Sequence, residues 1–260
     1  MNSADQSSAE TGARRASGAA ASGFAMFSFA IAAISALALL ASGPGNRFGW
    51  WDYRFAFTLL RWAAWGGAAG AVLSLFAVLW AGYRRSRRTV VVAVTGLVAG
   101  ALAFGIPWQL RQRAQQVPPI HDITTDTVNP PRFVAAVPLR KGAANGVDYA
   151  GAEIAQQQKQ AYADIVPLAL PVPAREAFER CLAAARGLGW EIVAAVPEEG
   201  RIEATDTTPF FGFRDDVVIR ITAAATGSQV DVRSLSRVGR SDLGTNAKRV
   251  RAFLGKVKPD

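Results

Sequence analysis

Apolar and polar positions follow two different patterns in this chain, and the change falls near residue 110. Before it, Gly23–Ser42, Trp62–Tyr83 and Thr89–Leu110 run without a charged residue and are rich in Ala, Leu, Val and Phe. A helix rises about 1.5 Å per residue, so roughly 20 such residues cross a hydrocarbon core about 30 Å thick. Three N-terminal transmembrane α-helices are predicted. No comparable run follows.

After residue 110 the periods are those of a soluble domain. Ile165–Leu170 reads as a short buried strand ended by Pro171, and Pro173 opens a helix running to Leu188. Phe178, Cys181, Leu182, Ala185 and Leu188 share one face of that helix. Trp190–Val196 reads as a strand, and Gly200–Thr208 alternates Ile202 and Ala204 against Arg201, Glu203 and Thr205. Val217, Ile219 and Ile221 alternate next, then Val230 and Val232, with a turn at Thr226-Gly227-Ser228 between them. Leu243, Ala247, Val250, Leu254 and Val257 are helix-spaced. The predicted order is β-α-β-β-β-β-α: an α+β domain whose antiparallel sheet packs on two helices. That order resembles the helix-grip and TATA-box-binding-protein-like arrangements. A turn at Thr226–Gly227 would set Arg220 opposite Arg233, with Asp231 and Glu203 completing a charged sheet face open to water.

Between the two regions no period is sustained. Pro118, Pro119, Pro130, Pro131 and Pro138 interrupt it, with one short helix expected over Ala152–Ala161. The chain therefore divides into a tail (1–22), an anchor (23–110), a Pro-rich linker (111–163) and the soluble domain (164–260).

The net charge of +9 changes less than it first suggests. Up to Trp108, nine Arg stand against Asp5, Glu10 and Asp52, which makes +6; the remaining 20 Lys and Arg against 17 acids make +3. The excess flanks the spans, where topology demands it, rather than the soluble domain, so nucleic acid is not the expected partner. Arg84, Arg85, Arg87 and Arg88 fill the loop between the second and third spans. Positive loops stay inside, and Arg14 and Arg15 agree. The expected placement is therefore a multi-pass bacterial inner (cytoplasmic) membrane protein, with a cytoplasmic N-terminus and a periplasmic C-terminal domain. Trp50, Trp51, Tyr53, Trp80, Tyr83 and Trp108 fall at interfacial depth. No span carries Asp, Glu, Lys or His, which argues for an anchor rather than a transporter.

Chemistry is sparse. Cys181 is the only cysteine, so no intramolecular disulfide or thiolate metal cluster can form, and His121, the only histidine, lies in the linker away from any serine elbow, which disfavours a Ser-His triad. No catalytic residue, metal ligand or cofactor is assigned. The densest polar run, Arg233 to Asn246, leads into the last helix. Ser241 or Asp242 is placed to cap that helix, and Arg240 beside it makes an anion site for a phosphate, lipid headgroup or carboxylate. Arg233, Arg240, Ser241, Asp242 and Asn246 are the ligand-binding candidates. Phe210, Phe211 and Phe213 crowd one hairpin tip, either folded back over the sheet end or presented to a membrane or partner.

Two blocks carry a family resemblance: Thr207-Thr208-Pro209-Phe210-Phe211-Gly212-Phe213-Arg214-Asp215-Asp216-Val217-Val218, and Val232 through Arg249 with Arg237-Val238-Gly239-Arg240-Ser241-Asp242-Leu243-Gly244-Thr245-Asn246 at its centre. Over about Val117 to Val257 the chain resembles the bacterial domain of unknown function 1499 family, some of whose members also follow a membrane anchor. The resemblance implies no activity and transfers no catalytic residue. The reading is of a non-enzymatic membrane protein whose domain binds an envelope component, whether lipid, polymer or protein, with the bilayer and an envelope protein or anionic lipid as partners. The alternative is an envelope hydrolase or transferase using Asp and Arg, which requires Asp206, Asp216, Arg233 and Arg240 to converge in a deep pocket.

Overall fold

Two units divide the chain between Gln112 and Arg113, and a computed structural model describes residues 3–258, with side chains from residue 16 onward. The first unit holds α1 (Ser3–Arg47), α2 (Tyr53–Tyr83) and most of α3 (Arg87–Gln115). All three helices are long and apolar enough to cross a membrane. Each outruns its uncharged stretch, because a helix satisfies its own backbone and need not stop where hydrocarbon does. From Ser3 onward the expected tail, 1–22, is helical and continuous with the first span in α1. Arg14 and Arg15, which enter the orientation argument, lie outside the residues whose side chains are described.

Residues in this unit are sorted by size rather than polarity. Ala56, Ala63, Gly67, Gly70, Ser74 and Ala77 of α2 are buried, while Trp62, Trp65, Phe76 and Leu79 point outward. Lipid is as apolar as Leu, so burying Leu gains little, whereas small residues let backbones approach and gain dispersion. A Cβ on Gly100 would stand 2.6 Å from the Gly67 carbonyl oxygen, and one on Gly70 would stand 2.9 Å from Ala32 Cα. The paired glycines of α2 and α3 serve packing within one bundle. Asp52 caps α2, its carboxylate accepting the Phe55 N–H at 2.8 Å.

The second unit follows the predicted order from residue 168 onward: β2 (Leu168–Leu170), α5 (Ala174–Gly187), β3 (Glu191–Val196), β4 (Arg201–Thr207), β5 (Arg214–Ala224), β6 (Gly227–Ser236) and α6 (Thr245–Val257). Before them come β1 (Asp122–Thr124) and α4 (Ala152–Ala161). All pairings are antiparallel in one open sheet, ordered β3-β4-β5-β6. β1 and β2 share the remaining edge of β6, opposite Arg233–Leu235 and Ser228–Val230. One sheet face, with Ile202, Val217, Ile219, Ile221, Val230 and Val232, packs on α5 and α6. Trp190 stacks on Phe253 there at 5.4 Å. Cys181 lies in this core, and burial pushes its thiol up to about 12, which leaves it protonated and inert.

Two expectations are corrected. The segment 111–163 is not a linker: Ile120 and Ile123 sit in the domain core, and β1 lengthens the sheet. The prolines interrupt any period, and a three-residue strand is too short to show one. Gln158 of α4 stands where the next strand's peptide would be. Its Nε2–H donates to the Thr124 carbonyl at 2.6 Å and its Oε1 accepts the Thr124 N–H at 2.9 Å. The hairpin register also differs. Ala224 pairs with Gly227 around a two-residue turn, so Arg220 faces Asp231 and not Arg233. Opposite charges meet where like charges were expected.

Gln158→Leu keeps the volume and strips two buried backbone groups of their partners. It is expected to destabilise the second unit by about 2–5 kcal/mol, with amide exchange at Thr124 rising ahead of that in α5. Unchanged exchange at Thr124 would show the side chain to be dispensable.

Candidate functional site

Register places Arg201, Glu203 and Thr205, Asp216 and Arg220, Asp231 and Arg233, and Asp122 on the sheet face away from α5 and α6. This face is not open to water. The segment 125–149 lies across it, and Glu203, Asp216 and Asp231 have no exposure at all. A bare carboxylate in such a place costs many kcal/mol, so each needs a partner.

Asp216 is met from three directions. It accepts from Arg140 Nη1 at 2.6 Å, from Arg237 Nε at 2.9 Å and Nη2 at 2.7 Å, and from Thr205 Oγ1 at 2.7 Å. Burial alone would raise its pKa. The bonds from Arg237, Thr205 and Arg140 outweigh burial and hold the carboxyl below the ordinary carboxylate range. Arg140 also donates to the carbonyls of Asn145 and Ser236, which fixes the covering segment to the end of β6. Glu203 accepts the N–H groups of Val134, Ala135 and Ala136 at 2.8–3.1 Å and pairs with Arg201. A carboxylate thus fills the turn that leads into the short 3-10 helix Pro138–Arg140. Arg220 bridges Asp126 and Asp231, each at 2.9 Å.

Arg233 belongs to this buried face. It grips Asp122 with two bonds of 2.9 and 2.7 Å, donates to the Val147 carbonyl at 2.8 Å, and lies between the rings of Phe133 and Tyr149. Burial pushes the Tyr149 hydroxyl up to about 12.

A second polar cluster lies on the helix side, under the start of α6. Arg249 donates to Asp206 and Asp215, both at 2.7 Å, to Ser234 Oγ at 3.1 Å and to Asn246 Oδ1. Asn246 is fully buried and donates to Ser236 Oγ and the His121 carbonyl, both at 2.9 Å. The N-cap of α6 is Gly244, left-handed at φ 78°, rather than Ser241 or Asp242; Asp242, two residues earlier, accepts the N–H groups of Gly244 and Asn246 at 2.8 and 2.7 Å. Burial raises its pKa against the pull of those two amides. Ser241 Oγ accepts the Leu243 N–H at 3.3 Å, and Leu243 itself is left-handed at φ 54°. Arg240 is exposed, and its guanidinium makes no hydrogen bond or ion pair among the described residues. Its carbonyl faces His121 Nδ1 at 3.3 Å.

The hairpin tip Thr208–Phe213 closes on itself. Thr208 N–H donates to the Phe213 carbonyl at 2.8 Å, and Phe211 and Phe213 stack at 5.0 Å with planes 2° apart. Phe211 and Phe213 are half-buried, while Phe210 is 43% exposed.

The candidates therefore fall in three places: Arg233 beneath the covering segment, Asp242 and Asn246 around the α6 terminus, and Arg240 with Phe210 at the surface. Asp206, Asp216, Arg233 and Arg240 do not converge; the first three have separate partners. Arg140, Arg237 and Arg249 were missed as organising residues, and Glu203, expected on a face open to water, is fully buried. Glu203, Asp216 and Asp231 share one face with Arg201, Arg220 and Arg233, a pattern that a solvated face shows equally well, so residue order alone does not signal its burial.

A family model described as "Protein of unknown function (DUF1499)" matches residues 122–257, from the first residue of β1 to the last of α6. The match takes in the covering segment. No curated protein and no solved structure matches the chain.

Because its folded pKa is depressed, Asp216 contributes stability that is present above the unfolded carboxylate pKa of about 3.9 and lost as pH falls through the folded value. Asp216→Asn is expected to cost about 3–5 kcal/mol at neutral pH by leaving Arg140 and Arg237 uncompensated, and to flatten the acid limb of the stability curve. Equal acid sensitivity in both proteins, read by thermal unfolding from pH 3 to 7, would contradict this.

Proposed function

The chain belongs to the DUF1499 family, and from that premise we propose that it is a multi-pass inner-membrane protein whose domain lies outside the cytoplasm and binds an envelope component without catalysing a reaction on it. One observation carries the reading. The fully buried carboxylates of the sheet, Glu203, Asp216 and Asp231, are each held by arginine, while Phe210 and Arg240, the latter with no ion pair among the described residues, are among the groups left open at the surface. Acid-base chemistry asks for a titratable group facing a substrate, whereas recognition asks only for an accessible surface. Splitting Asp206, Asp216 and Arg233 among different partners removes the pocket that the hydrolase or transferase reading required.

Orientation rests on Arg84, Arg85, Arg87 and Arg88, all exposed where α2 passes into α3. A reporter enzyme that works only outside the cytoplasm is expected to be active when fused after the last residue and inactive when fused after Arg85. The reverse pair of results would place the domain in the cytoplasm. For binding, the intact chain purified from membranes is expected to carry one lipid, polymer or protein enriched over an unrelated three-span control, identified by mass spectrometry. An eluate with nothing enriched would remove the binding reading.

A further inference from the structure

We infer that the turn between α2 and α3 holds the phosphate of an anionic phospholipid, in a recess built by the membrane-spanning unit alone. The recess measures about 570 Å³ and is lined by Gly18 and Ala21 of α1 and by Tyr83, Arg84, Arg85 and Ser86. One wall is thus a helix of small residues, and the other is a basic turn. A Cβ on Gly18 would meet nothing within 4 Å, so the α1 wall leaves room beside it.

Sequence position sets the depth of this recess. The uncharged run of α2 ends at Tyr83 and that of α3 starts at Thr89, while Gly18 and Ala21 stand just before the apolar run that begins at Gly23. All three candidate spans bring it to the end of their apolar lengths, which is where a bilayer places its headgroups. The exposed ring of Tyr83 suits the same layer. The argument holds whichever side of the membrane the turn faces, and the second unit does not enter it.

The charges of the turn have no counter-ion. Arg84, Arg85, Arg87 and Arg88 are exposed and form no ion pair among the described residues. Asp52, which caps α2, is at the far end of that 31-residue helix, about 45 Å away along it. Asp5 and Glu10 precede Gly18 by at least eight residues, about 12 Å of helix. A guanidinium takes two phosphate oxygens at once, and a headgroup with no cation of its own leaves that charge fully available. Arg85 also occupies the left-handed position after α2, at φ 56°, with the Ser86 N–H donating to the Ala81 carbonyl at 3.1 Å. Glycine fits that position with less strain, yet arginine stands there. Charge alone would not single out this turn, since Arg111 and Arg113 are exposed near the other end of α3. The recess between α1 and the turn does.

The test uses the full chain in detergent, titrated with phosphatidylglycerol or phosphatidylcholine and read by native mass spectrometry. One phosphatidylglycerol is expected to stay bound per chain, with phosphatidylcholine retained several-fold less. Combining Arg84→Gln with Arg85→Gln is expected to weaken retention roughly ten- to twentyfold, each cation near an anionic lipid contributing about fivefold. Gly18→Leu adds bulk to the α1 wall without changing charge, and is expected to weaken retention as well. Combining Arg111→Gln with Arg113→Gln is expected to change nothing. Equal retention of the two lipids, an equal loss in the Arg111 and Arg113 pair, or indifference to either of the other variants would each overturn the inference. Millimolar glycerol phosphate separates a lipid from a soluble phosphate ester: it is expected to leave the lipid bound, and displacement would overturn the lipid as occupant. None of these results bears on what the second unit binds, so the two readings fail separately.

Discussion

The carboxylate of Asp216 lies in the middle of a sheet face with no exposure to solvent, and its compensating groups come from three separate stretches of chain. Thr205 comes from the neighbouring strand, Arg237 from just past β6, and Arg140 from the segment that covers the face. That segment carries little grease of its own: Phe133 and Ala136 meet Val218 and Leu235, and the rest of its attachment is ionic or through backbone amides. A buried ion pair adds little net stability over an apolar isostere, yet losing one partner is costly. The arrangement therefore acts on where the segment sits more than on how tightly the domain folds.

Covering one face with charges and the other with helices determines what remains for function. The helix side repeats the logic in smaller form, with Arg249 holding Asp206, Asp215 and Asn246 together under the α6 terminus. With those acids occupied, exposed cations are left open both at the loops, as at Arg240, and on the helices, as at Arg175 and Lys248. The anchor obeys the opposite rule, with small residues inside and large apolar ones outside. One chain is thus written for two solvents, and each half follows the rule of its own.

Much of this was legible from residue order. Period-2 alternation over residues 201–233 and helical spacing over 178–188 and 243–257 located every element from β2 to α6 within a few residues. Three uncharged runs located the spans. The failures share a cause. β1 and the covering segment are built from Pro-interrupted chain whose conformation is dictated by distant partners such as Gln158 and Glu203, and local periodicity carries no trace of them. The same distance hid the site. Arg233 was named as a ligand-binding candidate, whereas the structure buries it against Asp122, 111 residues away. Arg240 and Phe210 were named as candidates from residue type and spacing, and that both are exposed is read only from the structure.

That separation has a consequence for how the domain is made. Asp122 meets Arg233, and Thr125 shares backbone and side-chain bonds with Val232 across 107 residues, so the covering segment has nothing to dock on until β6 exists. Local helices form early, while contacts of such high sequence separation must wait for the loop between them to close. During synthesis, the stretch following α3 therefore emerges first and settles last. Until β6 arrives, Ile120, Ile123 and a set of acids are left without their partners, a window in which proteases or chaperones have their best access to the chain.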